Sequence, residues 1–333
     1  MKVFLTGATG LVGAHTALEL LRHGHQLRLL VRDEQAARRY FLAHGYEVDD
    51  FVVSDMLDSV AVRRGMAGCD AVVHAAAVVD LDTRKADITR STNVQGLENV
   101  VAAACAMGIG KIIYVSSISA IFHPDLPLLD ESVAVAEARD AYSRSKQLCE
   151  MKVREWQLQG RPVIITYPSG VFGPDDPKSA QSTEGLLTML NDVMPITSSG
   201  IQFVDARDVA IAHRLLLEAE LANDKTAERY LVAGHFMRWR DFADLLDRYL
   251  PYKLRRLRVP GVLLRLAGTL MDYLRYIVPI QFPLSHESAM IVSRFPPADS
   301  SRLLQKTGMQ FRPAQETLHD TVSWLQKNGK IKR

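Results

Sequence analysis

A chain of 333 residues, 47% hydrophobic and 23% charged, has the balance of an ordinary globular protein, long enough for one large core and a smaller appended lobe. Its 40 basic and 38 acidic residues leave a formal charge of +2, which excludes the electrostatic footprint that nucleic acid requires. Cys69, Cys105 and Cys149 are too scattered for a metal site and too few for a disulfide framework, which points to a reducing, cytoplasmic setting.

The opening MKVFLTGATG breaks its apolar run with glycine and does not read as a signal peptide. Residues 259–280 are the most membrane-like stretch, but Arg265, Asp272 and Arg275 interrupt it. A spanning helix needs roughly 20 apolar residues, so no transmembrane segment is expected and membrane contact is at most peripheral. A homodimer stays open.

In chain order, Lys2–Leu5 predicts a first strand, 11–23 a helix, Gln26–Val31 a second strand and 34–44 a helix. Glu47–Val53 is extended, 59–67 helical, Ala71–His74 a strand, 90–107 helical and Lys111–Val115 a strand. A long helix across 140–159 precedes the strand Pro162–Thr166. Nearly continuous apolar strands alternating with helices predict an α/β protein, a doubly wound, Rossmann-type parallel sheet covered on both faces. Residues 168–200, rich in Pro, Gly, Ser and Asp, predict long loops around one short helix near 184–192. Phe203–Val204, DARDVA and a helix over 208–220 are expected to return to the main sheet. The expected division is a dinucleotide-binding part, 1–167 rejoined by 201–233, and a smaller, mostly helical substrate lobe, 168–200 with 234–333.

VFLTGATGLVG places Gly7, Gly10 and Gly13 directly after a strand and at the start of a helix. A tight turn needs a residue without Cβ, a pyrophosphate needs close backbone approach, and a helix N-terminus offers free N–H groups. Gly7, Ala8, Thr9, Gly10, Leu11, Val12 and Gly13 are therefore the expected phosphate cradle. Arg32 follows the second strand, where NAD enzymes usually carry an acid and where an arginine can pair with a 2′-phosphate. Asp33 comes next, so NADP is preferred and NAD stays open. Asp55 after the third strand can accept from an adenine amino group with Met56 over the ring edge; as a helix N-cap it would serve the fold alone. Ala75, Ala76 and Ala77 end the fourth strand with side chains small enough for a flat cofactor to lie on the backbone.

YVSSIS closes the fifth strand and AYSRSK opens the long helix, where Tyr142 and Lys146 are four apart and share a face. A tyrosine, with an ordinary pKa near 10, needs a neighbouring ammonium to work as an acid–base at neutral pH. A serine at the adjacent strand end can polarise a substrate oxygen.

With TGATGLVG, Asp55, HAAA, TNVQG, VSS, YSRSK, YPSGVFGP and FVDARDVA in this order over residues 1–235, the chain resembles the extended short-chain dehydrogenase/reductase family, nearest its dihydroflavonol reductase and 3β-hydroxysteroid dehydrogenase-like branch. The resemblance implies Tyr142 as acid–base, Lys146 as ribose ligand and tuner of Tyr142, and Ser117, rather than Ser116, as the substrate-orienting hydroxyl. It implies Asn93 as a residue holding a water near the lysine, and Pro168, Ser169 and Val171 as the lining of the nicotinamide end. No metal is implied. Sugar-nucleotide members usually carry an asparagine in the loop after the sixth strand and an arginine just before FVDARDVA. Here those places hold PSGVFGP and Ile201, and Tyr167 stands where the family usually has an arginine. The implied activity is an NADP(H)-dependent carbonyl reductase or alcohol dehydrogenase on a relatively apolar small molecule. The alternative is a sugar-nucleotide epimerase or dehydratase with tightly held NAD.

After KLRRLR, Val262, Leu263, Leu266, Leu270, Tyr273, Leu274 and Ile277 fall on one helical face, away from Arg265, Asp272 and Arg275. A core helix of the lobe is the preferred reading, and a membrane-surface or oligomer-facing helix the other. Phe282 and Met290 would help wall a pocket for a ring-shaped or terpenoid substrate, and DTVSWLQKNGK predicts a final amphipathic helix. His15, His23 and His25 have no metal spacing.

Overall fold

The computed structural model describes residues 1–79, 86–137, 141–275 and 284–332; Ile277 and Phe282 lie outside them. Its strands are β1 (Lys2–Thr6), β2 (Gln26–Val31), β3 (Phe51–Val53), β4 (Ala71–His74), β5 (Lys111–Val115), β6 (Val163–Pro168), β7 (Gly170–Phe172), β8 (Met194–Ile196), β9 (Gly200–Asp205), β10 (Arg229–Val232), β11 (His235–Arg238) and β12 (Arg256–Arg258). Seven form one parallel sheet in the order β10-β6-β5-β4-β1-β2-β3. The chain reverses direction across the sheet between β3 and β4, and the β1 and β4 ends flank the crevice where such sheets bind ligands.

Alternation along β1 explains the two faces. Val3 and Leu5 point to the side covered by the helices Leu11–Arg22, Glu34–Ala43 and Ala206–Glu218, while Phe4 points to the side of Ser59–Met66 and Ala141–Leu158. Both faces are fully buried, which is why these strands read as apolar runs rather than as alternating ones.

Several elements differ from the sequence reading. Of Glu47–Val53 only Phe51–Val53 pairs, because β3 is an edge strand with a single neighbour. The helix expected over 90–107 begins as Ala86–Leu97, widens into a π turn at Glu98–Ala102 and ends as Ala103–Ala106. β9 joins a separate three-stranded sheet with β7 and β11 instead of the main one. The helix Ala206–Glu218 does return, packing on Leu11–Arg22, and β10 then closes the main sheet beside β6. A third core, built on Phe172, Phe203, Trp239, Phe242, Leu246 and Leu318, lies under the small sheet. Leu303 and Met309 belong to the main core, so the chain crosses between the two parts more often than a single boundary implies.

Candidate active site

The glycine loop is held by contacts that forbid side chains at two of its three glycines. Gly7 has φ +83°, and a Cβ there would lie 2.6 Å from Ala76 N and 2.7 Å from the Ala75 carbonyl carbon. A Cβ on Gly13 would lie 2.2 Å from Gly7 O. Gly10, the N-cap of Leu11–Arg22, is different: its Cβ would meet only Gly7 O, at an ordinary 3.6 Å. The fold itself therefore needs Gly7 and Gly13, whereas Gly10 leaves open backbone at a helix N-terminus whose first turn carries no acid. That arrangement fits a phosphate. Ala8 and Leu11 are buried, and Thr9 and Val12 are half-buried.

Around this loop Arg32 projects from the end of β2 with its side chain 75% exposed, its Nη1 3.9 Å from Asp55 Oδ2. Asp33 caps the helix Glu34–Ala43, its Oδ1 accepting from Ala36 N at 2.9 Å, so its carboxylate has a structural task. Asp55 does not cap a helix; it accepts from Leu57 N, and the cap of Ser59–Met66 is Asp58. Met56 is packed beneath Gly96, where a Cβ would come within 2.7 Å of its sulfur, so little of its side chain is left to cover a ring edge. Ala75, Ala76 and Ala77 are half-buried, with Ala75 and Ala76 against Gly7.

Sequence reasoning missed Lys178. Residues 174–180 form a strap over the glycine loop: His15 Nε2 donates to Pro174 O at 3.0 Å and Tyr40 OH to Asp175 O at 3.0 Å. Lys178 Nζ then donates to Thr9 Oγ1 at 2.9 Å. Burial first, and the Arg32 guanidinium next, hold the Lys178 ammonium below its usual pKa, so two cations converge on this mouth. No local motif carries that signal, because Thr9 and Lys178 are 169 residues apart.

At the end of β5 the two serines part company. Ser116 is buried and donates to Glu150 Oε2 at 2.9 Å. Ser117 is half-buried, and its Oγ accepts from Ser119 N at 3.2 Å and from Ser119 Oγ at 3.0 Å, which leaves its own hydrogen to donate outward. Lys146 is buried and donates to Val115 O at 2.8 Å, tying the helix Ala141–Leu158 to the same strand end. Burial lowers its pKa to about 8. Tyr142 sits one turn earlier, half-buried, with its carbonyl accepting from Ser145 Oγ.

Other expected site residues serve differently. Asn93 is not placed to hold a water at the lysine: its amide donates to Val78 O at 3.0 Å and Ser145 Oγ at 2.8 Å, and its carbonyl accepts from Val78 N at 2.8 Å. Both amide hydrogens are thereby used, and Asn93 clamps the end of β4 to the Tyr142 helix. Pro168, Ser169 and Val171 are buried, the Ser169 hydroxyl donating to Ala233 O at 2.8 Å and Val171 packing in the main core, so they form a floor with little side-chain surface of their own.

Tyr167 acquires a meaning. Its hydroxyl donates to the fully buried Glu150 at 2.5 Å, and Arg154 donates to Glu150 at 2.8 Å and to the Tyr167 oxygen at 3.3 Å. Arg154, one turn beyond Glu150 on the helix, thus supplies from another element the cation that the family usually carries at position 167.

A cleft of about 400 Å³ opens between Pro124, Leu126, Phe236, Arg238 and Phe295. It does not include Ser117, Tyr142 or Lys146, although its loop follows directly from Ser117 through the turn Ile118–Ile121.

The NAD dependent epimerase/dehydratase family model matches residues 3–233. The chain belongs to that family. It is an NAD(P)-dependent oxidoreductase of the extended short-chain dehydrogenase/reductase type. It is 29% identical to a putative dihydroflavonol 4-reductase of Synechocystis sp. (strain ATCC 27184 / PCC 6803 / Kazusa), covering 99% of this chain and 96% of the relative. Vestitone reductase from alfalfa superimposes with a TM-score of 0.74 at 21% identity, each chain 99% covered. UDP-glucose 4-epimerase from Bifidobacterium longum, solved with NAD+ and UDP, does so with a TM-score of 0.75 at 15% identity, again with 99% of each chain covered. At these identities the two structures attest the fold.

The glycine contacts lead to a paired prediction. Gly13→Ala is expected to cost about 2 kcal/mol or more in urea unfolding, since backbone cannot retreat from a 2.2 Å contact. Gly10→Ala is expected to stay within about 1 kcal/mol of the parent yet bind dinucleotide about ten-fold more weakly by fluorescence titration. Undiminished binding by Gly10→Ala would show that no phosphate lies on this loop.

Proposed function

We propose that the protein is an NADP(H)-dependent carbonyl reductase or alcohol dehydrogenase acting on a relatively apolar ketone or secondary alcohol through Ser117, Tyr142 and Lys146. The observation that carries this reading is the gathering of an outward-donating Ser117 and a buried Lys146 at the end of β5, with Tyr142 one turn along the helix. When bound, the nicotinamide supplies or accepts the hydride at its C4 carbon. Tyr142 gives its phenolic proton to the carbonyl oxygen in the reductive direction and takes it back in the oxidative one. Lys146 holds a positive charge beside that phenol and favours its ionised form, and Ser117 donates to the same substrate oxygen. In this reading residues 1–167 with 201–233 hold the cofactor, and 168–200 with 234–333 the substrate. The three free thiols accord with a reducing, cytoplasmic setting.

NADP preference rests on Arg32 and Lys178, two cations near the mouth of the glycine loop, with Asp33 engaged as a helix cap. The substrate reading rests on Ile201, which packs against the third core, and on the apolar walls of the neighbouring cleft. Neither offers the charge-assisted donors a nucleoside diphosphate needs, each missing contact costing roughly 1.5–3 kcal/mol.

One screen tests both. NADPH should bind about ten-fold or more tighter than NADH, and with NADPH present apolar ketones should raise the melting temperature and be reduced with loss of absorbance at 340 nm. Equal cofactor affinity would return Arg32 and Lys178 to the status of surface charges. Stabilisation by UDP- or TDP-sugars alone, with turnover but no net change in cofactor redox state, would establish the epimerase alternative.

A further inference from the structure

The helix Gly261–Arg275 is amphipathic the wrong way round for a core helix. Val262, Leu263, Leu266, Leu270 and Tyr273 are 57–67% exposed, and at 100° per residue they form one stripe about 100° wide. The inward face carries the small and polar residues. A Cβ on Gly268 would lie 2.5 Å from Ser285 O, so that glycine permits close packing against the helix His286–Arg294. Arg265 donates to Ser293 Oγ at 2.9 Å, Thr269 Oγ1 pairs with His286 Nδ1 at 2.8 Å, and Asp272 accepts from His286 N at 2.9 Å. The reading of this helix as a core element is therefore overturned: its polar side is satisfied inside and its apolar side faces out.

We infer that this helix docks the protein on an anionic lipid surface, lying in the interface with its apolar stripe in the headgroup region. Two further observations choose that occupant. The chain entering the helix carries Lys253, Arg255 and Arg258, all exposed, and no carboxylate pairs with Arg255 or Arg258 among the described residues. Asp272, the sole acid of the helix, is turned inward. The surface around the stripe is thus apolar and cationic, complementary to a bilayer containing anionic headgroups. A second copy would bring the same cations and no acid from its own helix. No helix among the described residues is long and apolar enough to cross a membrane, and this one, about 22 Å long, can only lie along it. Tyr273 suits the headgroup level, where aromatic residues with one polar end collect.

Co-sedimentation of the full chain with lipid vesicles, without cofactor or substrate, tests the inference independently of the proposed reaction. Binding to phosphatidylcholine vesicles containing phosphatidylserine should exceed that to pure phosphatidylcholine by on the order of ten-fold, and should weaken as salt is raised. Leu263→Asp with Leu266→Asp should abolish it, and Arg255→Glu with Arg258→Glu should remove the preference for phosphatidylserine. All four side chains are exposed, so unchanged melting temperatures should show both variants folded. Three results overturn the inference: no vesicle binding by the parent, vesicle binding that survives the Asp pair, or a parent dimer in light scattering that the Asp pair dissociates. The last would assign the stripe to a second copy.

Discussion

Tyr142→Phe is expected to lower kcat by about 100-fold or more while changing NADPH affinity by no more than about twofold, because it removes one proton donor and nothing else. Lys146→Met should also remove activity, yet move stability the other way. Burial depresses the Lys146 pKa from 10.5 to about 8, so over that interval the unfolded chain binds more protons than the folded one. The stability due to this group is therefore complete above 10.5 and lost as pH falls through about 8. At about pH 7 the buried ammonium is a net burden of roughly 3 kcal/mol, part of which methionine should recover despite losing the bond to Val115 O. Melting curves at about pH 7 and pH 10, set beside steady-state kinetics, check both halves. A Tyr142→Phe enzyme keeping about a tenth of the parent rate would remove Tyr142 from the mechanism. A Lys146→Met protein melting below the parent at neutral pH would show that the lysine contributes to the fold more than its burial takes away.

Glu150→Ala is expected to cost about 3–5 kcal/mol, the largest loss of stability from any single truncation in the site. Glu150 is fully buried and accepts from Ser116, Arg154 and Tyr167, so its removal leaves a partly buried guanidinium and two hydroxyls without their acceptor. The same bonds join the Tyr142 helix to the residue before Ser117 and to the end of β6, so the surviving folded protein should also turn over more slowly. Glu150→Gln, which keeps the shape and one acceptor, should lie between the two. Urea unfolding, with kcat measured where the variant is folded, makes the comparison. A loss below about 1 kcal/mol for Glu150→Ala would mean that water replaces the carboxylate and that the network does not hold the helix in place.

These residues also show what a linear reading reaches. Gln26–Val31, Ala71–His74 and Lys111–Val115 emerge as strands with the bounds read from the sequence, because an apolar run between turn residues is a local pattern. The glycine spacing and the four-residue interval between Tyr142 and Lys146 are local in the same sense, fixed by helix and turn geometry alone. The partners of those residues are not local. Glu150 meets Ser116 and Tyr167 across 34 and 17 residues, Lys178 meets Thr9 across 169, and Asn93 reaches Ser145 across 52. Nothing in the composition near either member announces the other, since each contact exists only after the sheet has closed. The helix Gly261–Arg275 marks the boundary most clearly. Its periodicity determines that an apolar stripe exists, because 3.6 residues make a turn wherever the helix lies. Which way the stripe faces is decided by Gly268, Arg265, Thr269 and Asp272 finding close backbone approach and hydrogen-bond partners on His286–Arg294. Backbone periodicity is written in neighbouring residues, whereas the direction of a face depends on what the rest of the chain brings against it.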